Sequence, residues 1–169
     1  MSWQNDITGD EGKMMRFLSL ALSVMLGLAA SPAAASEFKI GGLTVETPWS
    51  RATPGKARSG VVYLTISNQG TAPDRLVSIS TSVAKRAEIH RSQMKGSMMT
   101  MESIGALTLR PASSVLLRPG GLHVMLMGLQ APLKRGGSFD MTLKFEKSGS
   151  LTVKVAIEKI GASAPMRPH

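Results

Sequence analysis

The chain has 169 residues and a formal charge of +9, from 20 basic and 11 acidic side chains; hydrophobic residues make up 43% and aromatics 4%. That length fits one domain, and the apolar and charged fractions are those of a globular chain, not a disordered one. Twelve methionines stand against no cysteine, which excludes disulfide scaffolds, Cys-based zinc and iron–sulfur sites, thiol catalysis, a blue-copper thiolate and a cysteine-linked lipid anchor.

The chain opens on an address. Residues 17–30, FLSLALSVMLGLAA, form an apolar run short for a membrane span, with Lys13 and Arg16 before it. Ala33-Ala34-Ala35 follows as a small-residue cleavage pattern, so a signal peptide cut after Ala35 is expected and no stable membrane anchor. Asp6, Asp10 and Glu11 suit a signal n-region badly, making Met14 or Met15 a candidate start. Residues 1–35 are thus read as an upstream extension and leader, 36–160 as one domain, and 161–169, with Pro165 and Pro168, as a flexible tail. Loss of the leader removes two basic and three acidic residues and raises the charge to +10.

The rest reads as strands separated by turn signals. Leu43–Thr47 ends at Pro48-Trp49. Val61–Ser67 is rich in β-branched residues and stops at Asn68-Gln69-Gly70. Residues 75–80, 86–92, 98–104, 108–110 and 114–118 are further candidates. Gly120-Gly121 opens His123–Leu129, and residues 139–146 and 151–158 flank a hairpin-like loop. Lys144, Glu146, Thr152, Lys154 and Glu158 alternate with apolar neighbours, as in half-buried strands. No amphipathic helix longer than two turns is evident. The expectation is an all-β domain, an antiparallel β-sandwich or Greek-key barrel.

The methionines cluster around two histidines. Met94, Met98, Met99 and Met101 follow His90; Met125 and Met127 follow His123. In residues 122–127, alternation gives Val124 and Leu126 to the core and places His123, Met125 and Met127 on the other face. In residues 87–92, Ala87 and Ile89 go inward and Glu88, His90 and Ser92 outward. A two-residue loop at Lys95-Gly96 would set His90 directly opposite Met101 on that outer face. Thioethers select Cu(I), imidazole also accepts copper, and outside the cytoplasm a thioether escapes the disulfide chemistry of a thiolate.

The spacing His90-x10-Met101-x21-His123-x-Met125 resembles the H(M)-x10-M-x21-H-x-M signature of the periplasmic PCuAC copper chaperones. The segments IHRSQMKGSMMTME, PGGLHVMLMGL and GVVYLTISNQG are similar to that family's, and the likeness runs through the whole chain after the leader. One departure is Arg91, where the family has an optional Met. The resemblance implies a cupredoxin-like β-barrel, monomeric and periplasmic, with one Cu(I) on His90, Met101, His123 and Met125. Met99 and Met127 are candidate auxiliary contacts, and Met166 with His169 a candidate second, weak site. It further implies delivery of copper to the CuA site of a cytochrome c oxidase subunit, with or without a Sco-type thiol protein.

Other readings compete. The positive charge lacks the interleaved aromatics of a nucleic-acid surface, so a solvated basic surface, or one that docks to acidic patches, is expected instead of nucleic-acid binding. No nucleophile-elbow pattern points to an enzyme, and Glu88 and Glu102 read as salt-bridging surface carboxylates. The alternatives to a copper chaperone are a metal-free β-sandwich interaction module of the cell envelope and a Cu(II)- or Zn(II)-buffering protein.

Overall fold

The computed structural model describes residues 36–165, in which every regular element is a strand. In chain order these are β1 (Glu37–Ile40), β2 (Leu43–Arg51), β3 (Ser59–Asn68), β4 (Asp74–Thr81), β5 (Ala84–Lys95), β6 (Met98–Ser103), β7 (Leu107–Leu109), β8 (Ser113–Leu117), β9 (Leu122–Leu129), β10 (Ser138–Phe145) and β11 (Gly149–Glu158). The expected leader, its cleavage site and the pair Met166 and His169 lie outside the described residues.

The strands close on themselves. The order β2-β11-β10-β4-β5-β9-β3 returns to β2 through the β2–β3 pairing, giving a seven-stranded barrel. Of the two expected architectures, the barrel is the one formed, and closure leaves no open edge in the main sheet. All the pairings are antiparallel except β11 with β2. Four strands are appended outside the ring: β1 on β2, β6 on β5, β7 on β4 and β8 on β3.

Strict alternation fills the interior. Phe139, Met141, Leu143 and Phe145 of β10 are buried, as are Val153, Val155 and Ile157 of β11. They meet Val62, Leu64 and Ile66 of β3, and Ile89, Val124 and Leu126 from β5 and β9, in one continuous core. Met141 is fully buried there, which removes it from any question of ligation.

Outside the β5–β6 hairpin, the structure departs from the sequence reading in three places. β1 was not expected. β2 does not stop before Pro48 but runs on to Arg51, through a register shift between Glu46 and Trp49 where Thr47 takes a φ of 48°. A bulge is where a strand tolerates proline, because no ladder donor is needed there. The tail expected from Gly161 is held at its start: Ala162 is buried against the tilted Trp49–Tyr63 pair, and the Arg51 Nε–H donates to its carbonyl at 2.7 Å.

At the far end, Asp74 locks a turn. Its buried carboxylate accepts from the amides of Arg75, Lys147 and Ser148 and from the Ser148 hydroxyl, at 2.6–3.0 Å. Burial alone would raise the pKa of this acid, but those four donors favour the anion more strongly and hold it below the usual value.

Candidate metal centre

The centre begins with two neighbouring staves of the barrel. Burial of Ile89, Val124 and Leu126 fixes which side of β5 and β9 faces inward. The other side then carries three cross-strand pairs: Arg86 with Met127, Glu88 with Met125, and His90 with His123. The two histidines are thus set opposite each other by the barrel itself, their ring centroids 6.1 Å apart. With a metal–imidazole bond of about 2.0 Å, two rings sharing one ion stand about 5–6 Å apart between centroids, the larger value belonging to a wide N–metal–N angle.

His123 is only 3% exposed although it lies on the outer side of the sheet. Its Nδ1 is 3.0 Å from the Gly121 carbonyl. A carbonyl can only accept, so Nδ1 carries the proton and Nε2 presents its lone pair. The same carbonyl also accepts the Ser92 amide at 3.1 Å, across the end of the β5–β9 ladder. An imidazole whose second nitrogen is tied to a backbone carbonyl is the usual arrangement for a metal ligand.

The Nε2 atoms of both His90 and His123 are buried and have no hydrogen-bond partner. Leaving such an atom unsatisfied costs about 1–3 kcal/mol, so two side by side call for an explanation. An ion between them supplies one. The Glu88 carboxylate comes to 3.5 Å from the His90 Nε2, too long and poorly aligned for a hydrogen bond. Glu88 also faces Arg86 at 3.8 Å and the Ser103 hydroxyl at 3.5 Å. It therefore is salt-bridged to Arg86, as expected, while lying against His90.

Met125 lies two residues beyond His123 on the same face, between Glu88 of β5 and Val61 of β3. Met101 arrives from β6. The hairpin joining β5 to β6 turns at Gly96-Ser97, not Lys95-Gly96, with Lys95 opposite Met98. Gly96 has a φ of 63° and sits first in the turn, as a type II′ hairpin requires. The expected His90–Met101 pairing is corrected accordingly: His90 faces Ser103, and Met101 faces Ser92. Because the slip is two residues, Met101 keeps the same face as His90 and becomes its diagonal neighbour.

The remaining candidates separate. Met127 faces Arg86, whose guanidinium is 3.9 Å from its sulfur. Met99 pairs with Met94 nearer the hairpin tip, and Arg91 falls on the opposite face, across from Glu102. Among the described residues, no three His, Asp or Glu side chains gather as a nitrogen-and-oxygen metal site would need. Sequence reading missed Gly121. Its only signal was the Gly-Gly pair preceding His123, which was read as a turn and not as the acceptor that orients the ring.

The comparisons with known proteins agree with this fold. A family model described as "Putative lipoprotein LpqE-like" matches residues 43–157. A putative lipoprotein of Leifsonia xyli is 31% identical over 148 residues, covering 78% of this chain and 89% of the relative. Among solved structures, the copper-bound PCuAC domain from PmoF2 superposes with a TM-score of 0.65 at 29% identity, covering 73% of this chain and 98% of that one. The solution structure of CuI-DR1885 from Deinococcus radiodurans gives 0.57 at 29% identity, over 77% and 85%. The barrel is therefore that of PCuAC domains, the cupredoxin-like fold expected.

Proposed function

Because this chain belongs to the LpqE-like family, we propose that it is an exported copper chaperone holding one Cu(I) on His90, His123, Met101 and Met125. One observation carries the reading: two buried imidazole nitrogens without partners, on the one face of the sheet that also carries Met101 and Met125. The similarity to a copper-bound PCuAC domain and to CuI-DR1885 supports it. So does the leader-like N-terminus, since one relative and the family itself are named as putative lipoproteins; the 169 residues contain no cysteine.

The residues divide the work. The histidines provide a fixed pair of nitrogen donors, oriented by the Gly121 carbonyl. The thioethers are neutral, soft donors that hold Cu(I) without adding charge. Met101 is 58% exposed and lies on a strand outside the barrel, so it is the donor an incoming acceptor ligand can displace. Transfer is then ligand exchange, with copper remaining monovalent throughout. The acceptor we propose is the CuA site of a periplasmic cytochrome oxidase, reached directly or through a thiol protein.

The test is a Cu(I) competition titration under reducing conditions. The wild type should bind one equivalent tightly, and Met101→Ala with Met125→Ala should lose it. Unchanged binding in the double variant refutes the assignment. Loss on histidine substitution alone would favour a Cu(II)- or Zn(II)-buffering protein.

A further inference from the structure

The β5–β6 hairpin extends past the last β5–β9 pair, Arg91 with Leu122, and its two faces differ in kind. The cross-strand pairs are Lys95–Met98, Met94–Met99, Gln93–Thr100, Ser92–Met101 and Arg91–Glu102. Alternation therefore puts Met94, Met99 and Met101 on one face, with Ser92. The other face carries Arg91, Glu102, Gln93, Thr100, Lys95 and Met98. Gln93 donates to Glu102 at 3.4 Å, and the Thr100 hydroxyl to the Gln93 carbonyl at 3.2 Å.

Core packing does not account for this segregation. Met94, Met99 and Met101 are 60%, 61% and 58% exposed, so none fills an interior gap. Nor is their spacing loose. The Ile104 amide donates to the Ile89 carbonyl, which places the odd-numbered residues of β5 in hydrogen-bonded pairs with β6. Met94–Met99 and Ser92–Met101 are then the non-hydrogen-bonded pairs, whose side chains stand closest, about 4.5–5.5 Å between Cβ atoms. Met101 is diagonal to Met94, at about 7 Å. Three flexible thioethers within that range converge on a single ion without moving the backbone.

We infer that Met94, Met99 and Met101 form a second, all-thioether site at the hairpin tip for a soft monovalent ion, Cu(I) or Ag(I). Apart from the neutral Ser92 hydroxyl, only thioether sulfur stands on this face of the tip, so hard cations are not retained. The site shares the face of His90 and His123, and Met101 is common to both. An ion taken up at the tip therefore passes to the histidine pair by exchange of Met94 and Met99 for the two imidazoles, with Met101 bound throughout and no change of oxidation state. That relay rests on the copper reading above; the tip site does not.

Ag(I), which is redox-inert, is the probe, followed by the methionine methyl resonances. In His90→Ala/His123→Ala protein, Ag(I) should shift the methyls of Met94, Met99 and Met101 together, to an endpoint at one equivalent. Adding Met94→Leu and Met99→Leu should abolish that response. As His123 is buried, the wild type provides an independent measurement: one equivalent moves Met101 and Met125, and further Ag(I) moves Met94 and Met99 at lower affinity, because Met101 is already engaged. If the copper reading fails and the tip site stands, wild type and histidine variant share the single tip endpoint. Met94 and Met99 methyls that stay unmoved by excess Ag(I) in both proteins overturn the inference and leave the methionine face as a protein-docking patch.

Discussion

Replacing His123 by leucine should leave the metal-free protein as stable as the wild type, or more so, while ruining copper binding. The substitution removes a buried Nε2 that has no partner, a relief of about 1–3 kcal/mol. It also removes the bond from Nδ1 to the Gly121 carbonyl, worth about 0.5–1.5 kcal/mol. That carbonyl is not orphaned, because the Ser92 amide still donates to it. The balance is about −0.5 to +2.5 kcal/mol in favour of leucine. For a domain of this size each kcal/mol moves the thermal midpoint by about 3–6 °C. The assay is urea or thermal unfolding of both proteins, metal-free and with Cu(I). Copper at one hundred times its dissociation constant should stabilise the wild type by about 2.7 kcal/mol and leave the variant unmoved. A metal-free variant less stable than wild type by more than about 1.5 kcal/mol would refute the reasoning, since the ring would then be a structural element and not a strained ligand.

Other substitutions probe the surroundings. Glu88→Gln removes a negative charge beside the His90 Nε2 and should weaken Cu(I) about three- to tenfold, as expected of a unit charge about 4–5 Å away near solvent; the difference should shrink in high salt in the same titration. Met101→Leu should weaken Cu(I) at least about tenfold while changing unfolding free energy by less than about 0.5 kcal/mol, since the side chain is largely exposed. Asp74→Asn should destabilise by about 2–4 kcal/mol at neutral pH, as an amide NH2 replaces one oxygen against backbone donors. The Asp74 pKa is lowered in the fold, so its contribution is complete above the unfolded carboxylate pKa and is lost as pH falls through the folded one. Urea titrations at neutral and strongly acidic pH should therefore show the gap between wild type and Asp74→Asn closing in acid.

Alternation carried most of what could be read in advance. The apolar residues Ile89, Val124 and Leu126 announced which side of their strands faces inward, and the histidines and methionines followed by parity. Register was harder. Lys95-Gly96 and Gly96-Ser97 are both plausible two-residue turns, and only the second gives glycine the first, positive-φ position. The error was two residues, which moves Met101 along the strand without turning it over. Pro48 ended a strand on paper, because local sequence does not say that a bulge lies beneath it. The unpartnered nitrogens were not legible at all. Which ring nitrogen is tied to a carbonyl depends on β5 and β9 meeting, and these strands are separated by the entire hairpin and its return.

The position of β6 outside the ring has a dynamic consequence. The barrel staves that hold His90 and His123 open only when the ring breaks, whereas β6 is paired on one side only. Amide exchange should therefore divide the centre in two, with protection near the global unfolding free energy at His90 and Val124, paired within the ring, and much weaker protection at Thr100 and Glu102, paired only to β5. On the copper-chaperone function proposed above, the nitrogen donors keep their arrangement across cycles of loading and release. Each new ion then orders only the sulfur side, and the entropy cost of binding falls on the few residues that also let the ion go.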